Sequence, residues 1–287
     1  MNNPSKMVHH STDMSLEGIY MLFGKPNILK ELEYEFENGH VVITGYLSSK
    51  KLSHMEIVHG EMRKLNPKWQ GSIEIPGQIE GKPVTAIEMR GFQTLPAGHV
   101  SGKDLQSCGI GRDSLQNITL PASLSRIGTS AFAGCVNLNS ISIPENVLSI
   151  GPYSFHSCRK LDSVAIPDQV NDISDYSFCG CSGIKEISFG KGLKSIGVLS
   201  FAYCRSLISA ALPEGMKTIK KRAFLRCPGI KTVFLPGSLT ELGEGVFAEC
   251  GSLRDVFFAG SEEQWAELTG EKDIGLGPEA AVHFGRN

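Results

Sequence analysis

The sequence predicts an α/β solenoid in which a parallel β-sheet lines the concave face and short turns or helical pieces lie opposite. Three observations carry this reading. Phe132, Phe155, Phe178, Phe201, Phe224 and Phe247 follow one another at an interval of 23 residues. Cys135, Cys158, Cys181, Cys204, Cys227 and Cys250 keep the same interval, three positions behind each Phe. Between them an L-x-x-I-x-I-P core recurs, and a period between 20 and 29 residues with that core is the signature of leucine-rich repeats.

One unit contains Leu138, Ile141, Ile143, Pro144, Val147, Ile150, Gly151, Phe155 and Cys158; the next contains Leu161, Val164, Ile166, Pro167, Val170, Ile173, Ser174, Phe178 and Cys181. Ile141 and Ile143 are two apart, the strand period, so both point inward while Ser140 and Ser142 point out. Pro144 lacks an N–H for the ladder and ends the strand. From Ile150 to Cys158 the apolar spacing widens to three to five, which suits a short turn or helical piece. So small a unit cannot bury its own apolar edge and must stack on its neighbours.

The inward pair recurs at Ile118 and Leu120, Ile187 and Phe189, Ala210 and Leu212, Val233 and Leu235, and Val256 and Phe258. Ile73 with Ile75 reads as an earlier rung and Val282 with Phe284 as a last one. The expectation is nine parallel strands spaced about 4.8 Å apart. The register breaks upstream, where Gly109 and Arg112 stand in place of Phe and Cys. Ile87 and Phe92 instead repeat the spacing of Ile127 and Phe132, so residues 93–112 read as an insertion. Loops of that length are uncommon; a tolerated surface loop is the first reading and a functional one the alternative.

The domain plan is an N-terminal segment with a capping hairpin (1–71), the solenoid with its insertion (72–258) and a C-terminal cap (259–287). Glu31 to Phe36 alternates and leads through Asn38-Gly39 into Val41 to Tyr46, a hairpin signal. Residues from Lys50 to Lys68 fit a helix or loop packed nearby. Ser261 is placed as a helix N-cap with Gln264 at the third helical position, so that Trp265 and Leu268 close the core.

Lys and Arg number 28 against 30 Asp and Glu, a net charge of −2. That balance offers no basic excess for a phosphate backbone, so nucleic acid is not an expected partner. No run approaches the roughly 18 to 20 apolar residues of a membrane span, and the first residues lack the apolar core of a secretory signal. From the residues alone, the expected compartment is the cytoplasm.

Side chains in a ladder point the same way about 4.8 Å apart, too far for the ~3.8 Å between Cβ atoms that a disulfide prefers. The six periodic cysteines therefore read as small buried apolar residues. Cys179 beside Cys181, and Cys108 in the insertion, have no second pair or His spacing for a metal. His54 and His59 are five apart and fall on different helical faces, whereas a zinc-protease helix needs four. Gly109 and Gly111 lack the third glycine of a dinucleotide loop. No nucleophile is tied to a histidine, so no catalytic residue, metal ligand or cofactor site is assigned.

The candidate binding surface is the outward row of the sheet: Glu74, Thr119, Ser142, Ala165, Ser188, Ala211, Phe234, Phe257 and His283. Beside it runs a polar rim through Asn117, Ser140, Ser163, Glu186, Ser209, Thr232 and Asp255. Aromatics are enriched at interaction hot spots, so Phe234, Phe257, Ser188, Glu186, Asp255 and His283 are taken as candidate contacts for a protein or peptide. The alternative is that Phe234 and Phe257 pack under residues 270–287 as part of the cap. A second functional reading is self-assembly through the ends of the solenoid; the oligomeric state is open.

The consensus L-x-x-I-x-I-P-x-x-V-x-x-I-G-x-x-A-F-x-x-C, the lead-in Ile79-Glu-Gly-Lys-Pro-Val-Thr-Ala-Ile87 and the closing Gly260-Ser-Glu-Glu-Gln-Trp265 resemble BspA-like leucine-rich-repeat proteins, over residues 31–284. The resemblance implies an adhesion module, on the cell surface or secreted by host-associated microbes, whose repeats engage proteins of the host or of other cells. It carries over no catalytic residues. One expectation follows from the repeat alone: Phe178→Ala lowers stability by about 3–5 kcal/mol, as for other buried Phe truncations, measured by equilibrium denaturation.

Overall fold

The structure is a computed structural model and describes residues 32–37, 39–46, 72–79, 81–87 and 115–285. The insertion at 93–112 and the segment from Lys50 to Lys68 lie outside the described residues. The strands in chain order are β1 (Leu32–Glu37), β2 (His40–Tyr46), β3 (Ser72–Glu74), β4 (Gln78–Ile79) and β5 (Lys82–Ile87). Pairs of short strands then follow, one pair to each rung: β6 (Asn117–Thr119) and β7 (Arg126–Ile127), β8 (Ser140–Ile141) and β9 (Ser149–Ile150), β10 (Ser163–Ala165) and β11 (Asp172–Ile173). The series continues with β12 (Glu186–Ser188) and β13 (Ser195–Ile196), β14 (Ser209–Ala211) and β15 (Thr218–Ile219), β16 (Thr232–Leu235) and β17 (Glu241–Leu242). It closes with β18 (Asp255–Phe258), helix α1 (Glu262–Thr269) and β19 (Ala281–Phe284).

The predicted nine rungs form the first sheet. Its strands pair in parallel in three blocks, β3-β6-β8, β10-β12 and β14-β16-β18-β19. Residues one period apart face each other, as in Val164↔Ile187, Ala210↔Val233 and Val233↔Val256. Among the residues whose side chains are described, the inward ones are buried except Ile187, Phe189, Val282 and Phe284, which are half-buried. The outward ones are exposed as far as β14, while Thr232, Asp255, Phe257 and His283 are half-buried.

A second sheet lies where the sequence predicted only turns or helical pieces. Strands β7, β9, β11, β13, β15 and β17 pair in parallel along the solenoid, continuous with β5, β2 and β1. Each contributes one inward residue, such as Ile150, Ile173 or Ile196, at 1% exposure or less. A two-residue strand shows no alternation in the sequence, which is why periodicity alone did not reveal it.

The remaining side of each rung is a run of turns. His156 N–H donates to the Tyr153 carbonyl within the rung, while Tyr153, Phe155 and Ser157 donate to Asp175, Ser177 and Cys179 of the next. Holding alternate N–H groups along the axis requires left-handed backbone at two positions per rung. Tyr153 and Ser157 have φ of 55° and 61°, and Leu199 and Tyr203 have 54° and 63°. Such residues cost roughly 1–2 kcal/mol each, offset here by the inter-rung bonds.

The six phenylalanines form one column, with ring centroids 5.0–5.8 Å apart and planes within 18° of parallel. All six are fully buried. The periodic cysteines are free thiols. Cys158, Cys181, Cys204, Cys227 and Cys250 each donate to the carbonyl of the Phe 26 residues earlier, at 3.0–3.4 Å. Beside this column Tyr153 and Tyr176 stack at 4.8 Å, and His156 lies at 6.0 Å from Tyr153 with Nδ1 2.9 Å from Ser157 Oγ. Burial, aided by the charge of Arg159, pushes His156 down to about 4.

The two ends are closed differently. At the amino end β1 and β2 form the predicted antiparallel hairpin around Gly39, whose φ is 82°. The hairpin extends the second sheet, β2 running parallel to β5 with Val41 opposite Val84. At the carboxyl end Ser261 caps α1 in a capping box with Gln264, as predicted. Leu268 is buried, and Trp265 packs 5.3 Å from Phe258 and 6.4 Å from Phe284. Strand β19 then ends the first sheet.

Gly190 occupies the place of Pro121, Pro144, Pro167, Pro213 and Pro236 in the other rungs, yet a Cβ there would overlap the Pro167 carbonyl. Restoring the repeat's proline by Gly190→Pro is therefore expected to lose roughly 1–3 kcal/mol, the usual range for overpacking, read as a lower denaturant midpoint. His156 has a folded pKa of about 4 against an unfolded value near 6.5, so between those values only the unfolded chain takes up its proton. Its contribution is complete above about pH 6.5 and declines as pH falls towards 4. A His156→Gln variant should show a flatter stability profile between pH 5 and 7 than the parent.

Candidate binding surface on the first sheet

The outward face of the first sheet changes character along its length. From β6 to β14 the central row is small: Thr119, Ser142, Ala165, Ser188 and Ala211, all exposed. At β16 it becomes aromatic. Parallel pairing places Phe234 opposite Phe257 and Phe257 opposite His283, and the rings stack. Their centroids are 5.0 Å apart at 12° for the Phe pair, and 4.6 Å at 21° for Phe257 and His283. Phe257 is half-buried between its neighbours, whereas Phe234 is 46% exposed.

Strand alternation puts Asp255 in the adjoining outward row, where its Oδ1 lies 2.8 Å from His283 Nε2. That contact fixes the imidazole at the end of the ring stack. On the flank, Arg254 pairs with Glu279 at 2.7 Å. Four of the six candidate residues, Phe234, Asp255, Phe257 and His283, are thus brought together. Glu186 and Ser188 are exposed on β12, with β14 between them and β16, and do not touch that cluster. The cap alternative describes Phe257, which lies under His283 of β19, and does not describe Phe234.

Two exposed apolar residues escaped the sequence reading: Ile208 at 50% and Leu148 at 57% exposure. Each breaks a polar column. Ile208 follows Asn139, Asp162 and Lys185 and precedes Lys231, while Leu148 sits among Ser125, Asn171, Lys194, Lys217 and Thr240. Comparing one register position across rungs would have found both. Leu148 also borders an open cleft of about 340 Å³ on the second sheet, with His40, Val42, Thr85, Ala86, Ser125, Arg126 and Ser149.

Among the described residues no cluster of three or more His, Cys, Asp or Glu side chains could hold a metal ion. Burial raises the Cys158 and Cys204 thiols well above the usual range and Cys179 to about 12, the opposite of what a nucleophilic cysteine needs, whereas a hydrogen bond with Cys227 lowers Cys250. No described helix is long and apolar enough to cross a membrane.

The sequence matches the profile of the BspA type leucine rich repeat region in six copies, over residues 110–205 and 149–267. No curated protein is similar enough in sequence to match it. Among solved structures, the leucine rich repeat protein of T. pallidum is similar at 22% identity with a TM-score of 0.54, covering 88% of this chain and 100% of that one. A leucine-rich repeat protein from Eubacterium ventriosum ATCC 27560 is similar at 23% identity with a TM-score of 0.53, covering 77% of this chain and 50% of that one. These likenesses concern the fold. The profile spans more than half of the 287 residues and its period coincides with the stacked rungs, so this chain belongs to the BspA-type leucine-rich-repeat family.

Proposed function

We propose that the protein is a non-catalytic module that binds a protein or peptide on the outward face of its first sheet. Contacts centre on Phe234, Phe257, His283 and Asp255, with Glu186 and Ser188 meeting a longer ligand further along. The observation that carries this reading is Phe234, whose ring stands in water at 46% exposure beside a row of small residues. Leaving an aromatic exposed forfeits the 1.5–3 kcal/mol or so that burying it would contribute, and aromatics of this kind anchor interfaces. The regular wall also provides a rigid, flat platform, which suits an extended or broad partner better than a small molecule. The family resemblance adds that the partner belongs to a host or to another cell, which makes adhesion the use of the site.

A second reading has one observation of its own. Among the described residues no strand pairs with the outer edge of β19, whose Val282 and Phe284 are half-buried. Copies could join edge to edge there. Light scattering over a concentration series separates the two, since only self-assembly makes the mass rise.

Phe234→Ala should abolish partner capture while moving the melting temperature by no more than about 2–4 °C, as expected of a substitution costing up to ~1 kcal/mol in a chain of this size. Phe257→Ala, which opens the ring stack, should lower both. Retained capture by Phe234→Ala would remove the site from this face.

A further inference from the structure

The aromatic column on the first sheet is one ring short. Phe257 has both faces covered, by Phe234 on one side and His283 on the other. Phe234 has one face against Phe257. Its other face looks along the column towards Ala211, its register partner on β14, and then Ser188 on β12. Neither residue is large enough to cover a ring, which accounts for the exposure of Phe234.

We propose that this open face receives the aromatic side chain of the partner, seated over Ala211 so that it continues the column Phe234–Phe257–His283. The inference rests on the binding surface proposed above and names what fills it. Three features select a neutral ring. The existing rings repeat at 4.6–5.0 Å in near-parallel planes, the separation at which aromatic pairs attract; one further ring at that spacing falls over Ala211. The strand beneath, Ser209–Ala211, carries no charge, so a guanidinium laid on Phe234 would find no counter-ion on that strand. Ile208, three residues before Ala211 on the flank of the strand, is likewise apolar and 50% exposed. An aliphatic side chain would meet the same floor and forgo the stacking.

The test uses three blocked pentapeptides, Gly-Ser-X-Ser-Gly with X as Trp, Leu or Arg, titrated into the full chain carrying ¹³C-labelled alanine methyls and phenylalanine rings. The Trp peptide is expected to move the Ala211 methyl upfield, the mark of a ring stacked above it, and to bind roughly three- to tenfold more tightly than the Leu peptide. In the variant Ala211→Phe the chain supplies the missing ring itself. The Trp peptide should then no longer perturb the Phe234 ring resonances, while the melting temperature stays the same or rises. Equal binding of the Leu peptide, or tighter binding of the Arg peptide, would overturn the aromatic seat and leave the peptide-binding face standing. If no peptide shifts any first-sheet resonance up to its solubility limit, the inference and the binding face fall together.

Discussion

Backbone hydrogen bonding along the solenoid axis is the constraint on which everything else depends. A rung of 23 residues is too small to enclose a core, and only part of its N–H and C=O groups find partners within it. They find them one period away. The first sheet, the second sheet and the turns each bond rung to rung, and in the turns this holds even where Tyr153, Ser157, Leu199 and Tyr203 must adopt left-handed backbone. Once the rungs are tied at three sides, any residue type that recurs every 23 positions becomes a column.

The columns explain the core and the surface by the same rule. Inside, the six phenylalanines stack, and the cysteine thiols behind them donate to their carbonyls. Outside, the rule pairs charges one period apart, as in Lys221 with Glu244 and Arg226 with Glu249, both at 2.7 Å. These exposed pairs add little stability each. The candidate surface is another instance: Phe234 and Phe257 stack because they are 23 apart, and His283 joins them although it is 26 beyond Phe257, since the loop through α1 lengthens the last rung. The site is thus a place where the periodic rule carries an unusual residue to the surface.

The sequence by itself determined the period, the inward and outward residues of the first sheet, the hairpin, the capping box and the buried free thiols of the six periodic cysteines, because each is written in local spacing. It also supplied the aromatic row, since alternation alone assigns Phe234 and Phe257 to the outside. Tertiary structure alone decided the second sheet, whose two-residue strands leave no local pattern, and the unequal fates of the two rings. Phe257 is covered and Phe234 is not, because what lies above a ring is the residue one rung away: His283 in one direction and Ala211 in the other. The outward row read from the sequence already sets Ala211, Phe234, Phe257 and His283 in this order; what it does not record is that the rings lie face to face, so that an aromatic neighbour covers a ring and an alanine leaves it open.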